Sequence, residues 1–260
     1  MLALALIAES IGIDSETYLF GKLNKDYRAN FTNLVHRCNF NRRRKTLAAY
    51  LQQLNQSLAD RMNEGENVFI VDSVPVPICK LAREKPSKVC RECFETAPDK
   101  GYSAVNKPYY FGYKLHLATL ANGVFHAMDL SKASVHDIHY LNDLKKNGLS
   151  NCTLIGDKGY LSKSQQLDLF TVAKIELKTP MRSNQAGAQP MIPIFRKVRK
   201  CIETLFAQLC DQFMLKRNYA KTVAGLSVRI LNKVTAVTCL QFVNKQNNKP
   251  ISHLKYALAC

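Results

Sequence analysis

The spacing of apolar residues changes twice along the chain. Through residues 1–64 it is helical. LALALIAESIGI is followed by Asp14 and Ser15, an N-cap signal for a second helix in ETYLFGKLNKDY. In LAAYLQQLNQSLADRM, Leu47, Tyr50, Leu51, Leu54 and Leu58 recur at three- and four-residue intervals until Asn63-Glu64-Gly65 stops the helix. From Asn67 the period shortens, and NVFIVDSVPV reads as a strand. Residues 78–107 are polar and broken by Pro86, Pro98 and Gly101, which predicts an exposed insertion. In YYFGYKLHLATL, Tyr109, Phe111, Tyr113, Leu115 and Leu117 alternate onto one strand face. Asn122-Gly123 is a hairpin turn before the returning strand VFHAMDLSKA.

Beyond the hairpin the helical period returns in alternation with short strands. Ser134-x-x-Asp137 has capping-box spacing and opens a helix in HDIHYLNDLKKNG. CTLIGDKGY is a strand and turn, LSKSQQLDLF a helix, and KIELKTP a strand. Residues 182–194 read as loop. A long amphipathic helix starts near Phe195, and VAGLSVRILNKVTAVTCLQFV is a last apolar helix. This order predicts an α/β fold with hairpin and crossover connections, hence a mixed sheet flanked by helices. It divides the chain into a helical module over 1–64, a main domain over 65–245 and a tail over 246–260. The abrupt apolar start suggests a shortened N-terminus. No apolar run approaches the roughly 18 residues of a membrane span, and no secretory signal is evident, so a cytoplasmic protein without a membrane partner is expected.

Charge narrows the partner. Of 260 residues, 37 are Lys or Arg against 20 Asp or Glu, a net charge of +17. Such an excess suits a polyanion, with nucleic acid ahead of an anionic membrane. Arg42, Arg43 and Arg44 make the helical module either a DNA-binding element or a basic cap on the main domain. The nine cysteines fit reduced thiols. Cys90-x-x-Cys93, with Cys79 nearby, is half of a zinc ligand set and lacks a second half.

Three carboxylates stand out against this background. Asp72 interrupts an apolar strand. Asp157 follows another apolar run at the strand's C-terminal end, where open α/β sheets bind ligands. Glu203 borders the apolar stripe of the helix containing Ile202, Leu205, Phe206 and Leu209, with Arg199 and Arg196 one and two turns earlier. Each has a simpler reading: a strand end, a turn aspartate, an exposed Arg–Glu pair. Together they offer oxygen ligands of the kind Mg²⁺ or Mn²⁺ prefers, and three carboxylates suffice to hold two ions for phosphoryl transfer. His136-Asp137 is read as helix capping ahead of a fourth contribution to the site. Lys158, beside Asp157, is a candidate phosphate contact, as is Lys114, which shares a strand face with His116.

DSVPVP, YYFGYKLHL, ASVHD, IGDKGY and RKVRKCIETLFAQL, in this order and spacing, resemble the DDE transposases of bacterial insertion sequences. The chain is most similar to the nine-eight-two family, with a DDE domain of the insertion-sequence-four kind. The resemblance spans about residues 1–245. It implies a ribonuclease-H-like fold and a catalytic, metal-binding triad of Asp72, Asp157 and Glu203. It further implies two Mg²⁺ or Mn²⁺ ions and transposition of double-stranded DNA by end cleavage and strand transfer, with pairing of two DNA ends making a homodimer plausible. Arg196, Arg199, Lys158, Arg42, Arg43 and Arg44 become the expected DNA contacts. Arg196 occupies a position where many relatives carry Tyr, and the chain is expected to lack the basic segment that usually precedes the match. A catalytically impaired DNA-binding remnant, or a ribonuclease-H-like nuclease, therefore stands as the alternative.

Overall fold

The computed structural model describes residues 1–103, 109–180, 193–217 and 219–259; the side chains of 193 and 194 lie outside that description, as does most of the loop expected over 182–194. Four helices open the chain: α1 (Leu2–Ser10), α2 (Glu16–Asp26), α3 (Arg37–Thr46) and α4 (Ala48–Met62). Ser15 caps α2 by accepting from the Tyr18 N–H. Six strands follow: β1 (Val68–Cys79), β2 (Asp99–Tyr102), β3 (Tyr109–Leu120), β4 (Phe125–Lys132), β5 (Cys152–Ile155) and β6 (Ile175–Lys178). Helix α5 (Tyr140–Lys146) precedes β5, α6 (Lys163–Ala173) connects β5 to β6, and α7 (Pro193–Asp211) and α8 (Val223–Gln246) come last.

The strands form one mixed sheet in the order β2-β3-β1-β5-β6, with β4 also paired to β3. β1 and β3 are antiparallel, whereas β1–β5 and β5–β6 are parallel. This is a mixed sheet flanked by helices, of the ribonuclease-H-like kind. The β1–β5 ladder ends at Ile70 opposite Ile155. Pro75 and Pro77, which cannot donate to a ladder, therefore lie where β1 has run past β5.

Neighbouring residues on β3 show where the layers sit. His116 stacks on Tyr140 of α5, ring centroids 5.0 Å apart. Leu117 points the other way, lining a small void with Leu205 and Leu209 of α7 and Val234 and Val237 of α8. The sheet thus has α5 on one face and α7 with α8 on the other. Such a strand is buried on both sides, which explains a departure from the simple alternation: Tyr110, His116 and Ala118 are buried along with Phe111, Tyr113, Leu115 and Leu117, while Tyr109 is exposed. α8 is long and apolar enough to cross a membrane, contrary to the expectation of no such run, but 78% of its apolar window is buried inside the fold.

Two local expectations differ from the structure. The stretch 78–107 contributes β2, which pairs with residues 109–112 of β3, and buries Cys90. Gly112 lets that region close up, since a Cβ there would lie 2.3 Å from the Val76 carbonyl oxygen. Ser134 does not cap the turn before α5. His136 does, its Nδ1 accepting from the Ile138 N–H, which leaves Asp137 available for other contacts.

Candidate active site

The sheet register brings two of the three singled-out carboxylates side by side. Ile70 of β1 is level with Ile155 of β5. Asp72 and Asp157 each come two residues later, on parallel neighbours, just past the last rung of the ladder. The C-terminal ends of parallel strands are where an α/β sheet opens a crevice. Asp72 Oδ1 accepts from the Ser73 N–H at 2.8 Å. Asp157 has left the strand and caps a short 3-10 turn over Lys158–Tyr160, its Oδ1 accepting from the Gly159 N–H at 2.7 Å.

A further aspartate, Asp137, comes close to both of them. Gly159 lies between two carboxylates: a Cβ built on it would be 2.9 Å from Asp157 Oδ1 and 3.5 Å from Asp137 Oδ2. A larger residue in this turn would push the two acids apart. Lys114 Nζ holds the other oxygen of Asp137 at 2.6 Å, with 14% of the lysine side chain exposed. That ion pair removes Lys114 from the free phosphate contacts.

The electrostatics show how tightly the acids are gathered. Burial pushes the Asp72 carboxyl up to about 7; the Ser73 N–H opposes the shift, Asp157 adds to it, Arg199 opposes it and Asp137 adds to it again. Burial, then Asp137, Asp72 and Asp157, also raise the Tyr160 phenol well above its usual range. That hydroxyl is buried and has no hydrogen-bond partner among the described residues. A buried polar atom facing several carboxylates without a partner marks a place where a cation or water would be welcome.

Glu203 is more exposed than the aspartates. Its side chain is 56% exposed on α7, and its carboxylate lies 3.7 Å from Arg199. Arg199, and not Glu203, is among the charges felt by Asp72. The arginine is thus close to both Asp72 and Glu203. Arg196 and Lys158 are exposed, as are Arg42 and Arg43. Arg44 departs from the expectation of a surface DNA contact. It is 6% exposed, and its guanidinium binds Glu16 of α2 at 2.7 Å, a partner too far along the chain for a local charge run to reveal.

Carboxylate oxygens suit Mg²⁺ and Mn²⁺, and burial with mutual repulsion leaves these acids short of positive charge. The donor chemistry at Asp72 and Asp157 therefore fits a hard divalent cation. No three His, Cys, Asp or Glu side chains among the described residues are drawn together as a finished cage, the Cys79, Cys90 and Cys93 set included. His116 is set apart from this chemistry: buried, bonded through Nε2 to Ser131 Oγ at 2.7 Å and lowered to about 4 by desolvation, it is a neutral core residue.

Sequence reasoning passed over Asp137 because the Ser134 spacing gave it a sufficient local role. The motif ASVHD was visible, but nothing in it says that the chain brings this turn against Gly159.

A search of curated proteins gave no match. A family model described as a transposase DDE domain matches residues 63–239, from the end of α4 through most of α8. That span contains the whole sheet, both level aspartates and the helix bearing Glu203, and the chain belongs to the transposase DDE-domain family.

Proposed function

We propose that the chain catalyses divalent-metal-dependent cleavage of double-stranded DNA at transposon ends and transfer of the freed strand into target DNA, within the nine-eight-two group of bacterial insertion sequences and in the cytoplasm. The observation that carries this reading is the placement of Asp72 and Asp157 level with each other at the open end of the β1–β5 ladder. Asp72 and Asp157 would hold the two ions, with Glu203 as the third carboxylate carried over from the family resemblance. Bound divalent ions supply Lewis-acid stabilisation of the attacking and leaving oxygens of a phosphoryl transfer.

The remaining residues have roles that follow from their positions. Lys114 anchors Asp137 and keeps that carboxylate beside Asp157. Arg199 offsets the negative charge at Asp72 and tethers Glu203. Lys158, exposed beside Asp157, and Arg196, exposed one turn before Arg199 on α7, are suited to phosphate oxygens. Two copies, each holding one DNA end, form the working assembly.

The test is cleavage of a labelled duplex carrying the element's terminal repeat. Asp72→Asn, Asp157→Asn and Glu203→Gln should each lower the Mg²⁺-dependent rate by at least about 10³-fold, roughly 4 kcal/mol in barrier, with the fold retained. Wild-type cleavage that persists in excess chelator refutes the proposal. A second reading, a DNA-binding remnant without catalysis, draws on the exposed position of Glu203 and its bond to Arg199. Binding without nicking would favour it. Hydrolysis with no joining would favour a nuclease.

A further inference from the structure

The helical module meets α8 through buried charges, with Arg44, Arg229 and Lys233 set against Glu9 and Glu16. Glu16 of α2 is shared by two arginines, Arg44 of α3 at 2.7 Å and Arg229 of α8 at 3.5 Å. Arg44 is 6% exposed and its Nε has no hydrogen-bond partner. Desolvation pulls its guanidinium below the usual range; Glu16 opposes that pull, Arg229 adds to it and Glu9 opposes it.

Arg44 is one wall of a cavity of about 310 Å³ between α3 and the start of α8. Arg37, Asn41, Arg44 and Lys45 face it from α3, at the spacing of a single helical face. Lys221 and Arg229 face it from the other side, and no Asp or Glu is among its walls. Lys45 reaches the first turn of α8, its Cε beside Gly225. Lysine and arginine are ordinarily disfavoured at a helix N-terminus, where the dipole is positive. Here they gather at the N-terminus of a 24-residue helix whose first turn has no acidic residue.

The charge continues past the cavity. Lys221 and Thr222 also border a second, open hollow walled by Lys85, Lys88 and Arg91. Glu92 is the carboxylate there, and it is already engaged, accepting from the Val223 N–H at the head of α8. No ion pair engages Arg37, Lys45, Lys85, Lys88 or Lys221 among the described residues. The hydrogen bond from the Cys90 N–H to the Lys221 carbonyl, 2.8 Å, fixes the two hollows to each other.

We propose that these hollows form one trough for the phosphodiester backbone of duplex DNA. A phosphate seats in the α3–α8 cavity against Lys45 and Lys221, and the neighbouring phosphates run along Lys85 and Lys88. This goes beyond the basic run Arg42-Arg43, which lies on the other side of α3. It rests on the reading of the chain as an enzyme that acts on DNA, and the test separates the two.

The measurement is equilibrium binding of short duplex DNA of arbitrary sequence, over a range of salt, for the full chain. Neutralising one phosphate contributes about 0.9 to the slope of log K against log salt. Lys45→Gln combined with Lys221→Gln, both exposed positions, should flatten the slope by about 1 to 2 and weaken binding at least about tenfold at low salt. Lys249→Gln with Lys255→Gln removes the same charge at the far end of α8, roughly 36 Å away at 1.5 Å per residue, and should leave the slope unchanged. A wild type that binds with a steep slope while both pairs flatten it equally, or neither does, overturns the trough and spares the DNA-acting reading. A wild type that does not bind duplex DNA overturns both.

Discussion

Two regions of the molecule bury charge, and they resolve the cost differently. Between α1 and α8, Glu9 and Lys233 face each other at 2.5 Å with side chains only 5% and 3% exposed. At the end of the β1–β5 ladder, Asp72, Asp157 and Asp137 share one crevice, with Lys114 bound to one of them and Arg199 near another. The first is settled within the chain and holds two parts of it together. The second is left acidic. Burying a charge is unfavourable in either place, so the contrast says what each region is for: the balanced one is architecture, and the unbalanced one waits for a ligand of opposite sign.

The largest effect should come from breaking the balanced region. Burial already pushes the Glu9 carboxyl above its usual range, with Lys233 pulling it back. Lys233→Met leaves that carboxyl alone in the core and should cost about 3–5 kcal/mol in urea unfolding. Adding Glu9→Leu should recover most of the loss, because a matched apolar pair serves nearly as well as a buried ion pair. A loss under about 1 kcal/mol for Lys233→Met alone would mean that water reaches the site.

The unbalanced region should respond with the opposite sign. The Asp72 carboxyl ordinarily titrates at 3.8 and is raised to about 7 by burial in the fold. Between those values the folded chain holds a proton that the unfolded chain has lost. Stability therefore falls as pH rises through that window and stays lower above it. Asp72→Asn removes the titration. It should gain up to ~4 kcal/mol at about pH 8 and almost nothing near pH 4, read as the difference in thermal midpoint at the two pH values. An equal gain at both would assign the effect to packing. The smallest effect belongs to Glu203, whose exposed pair with Arg199 is weak. Glu203→Gln should change stability by less than about 0.5 kcal/mol, so any loss of cleavage in that variant is chemical.

How much of this was legible in the sequence depended on whether the signal was local. β1 and β3 announced themselves through dense apolar residues, and Asp72 stood out because it broke the run. Asp157 was legible for the same reason. β2 was not, since DKGY is polar and joins the sheet through backbone bonds to β3 that require no side-chain pattern. Asp137 was hidden behind an adequate capping explanation. Arg44 sat in a basic run that reads as solvent-facing, and its partner Glu16 belongs to another helix. Residues whose role is set by a distant partner leave no periodic trace, and both the ion-pair network and the third aspartate are of that kind.

The central claim is that the level aspartates form a site short of positive charge. The direct measurement is calorimetric titration of the wild-type chain with Mn²⁺ at about pH 8, repeated with Asp72→Asn and with Asp157→Asn. Binding should be lost or weakened at least about tenfold in both variants, and wild-type affinity should fall as pH drops below about 7, where a proton competes for Asp72. Equal Mn²⁺ binding by all three proteins, or none by the wild type, would contradict the account.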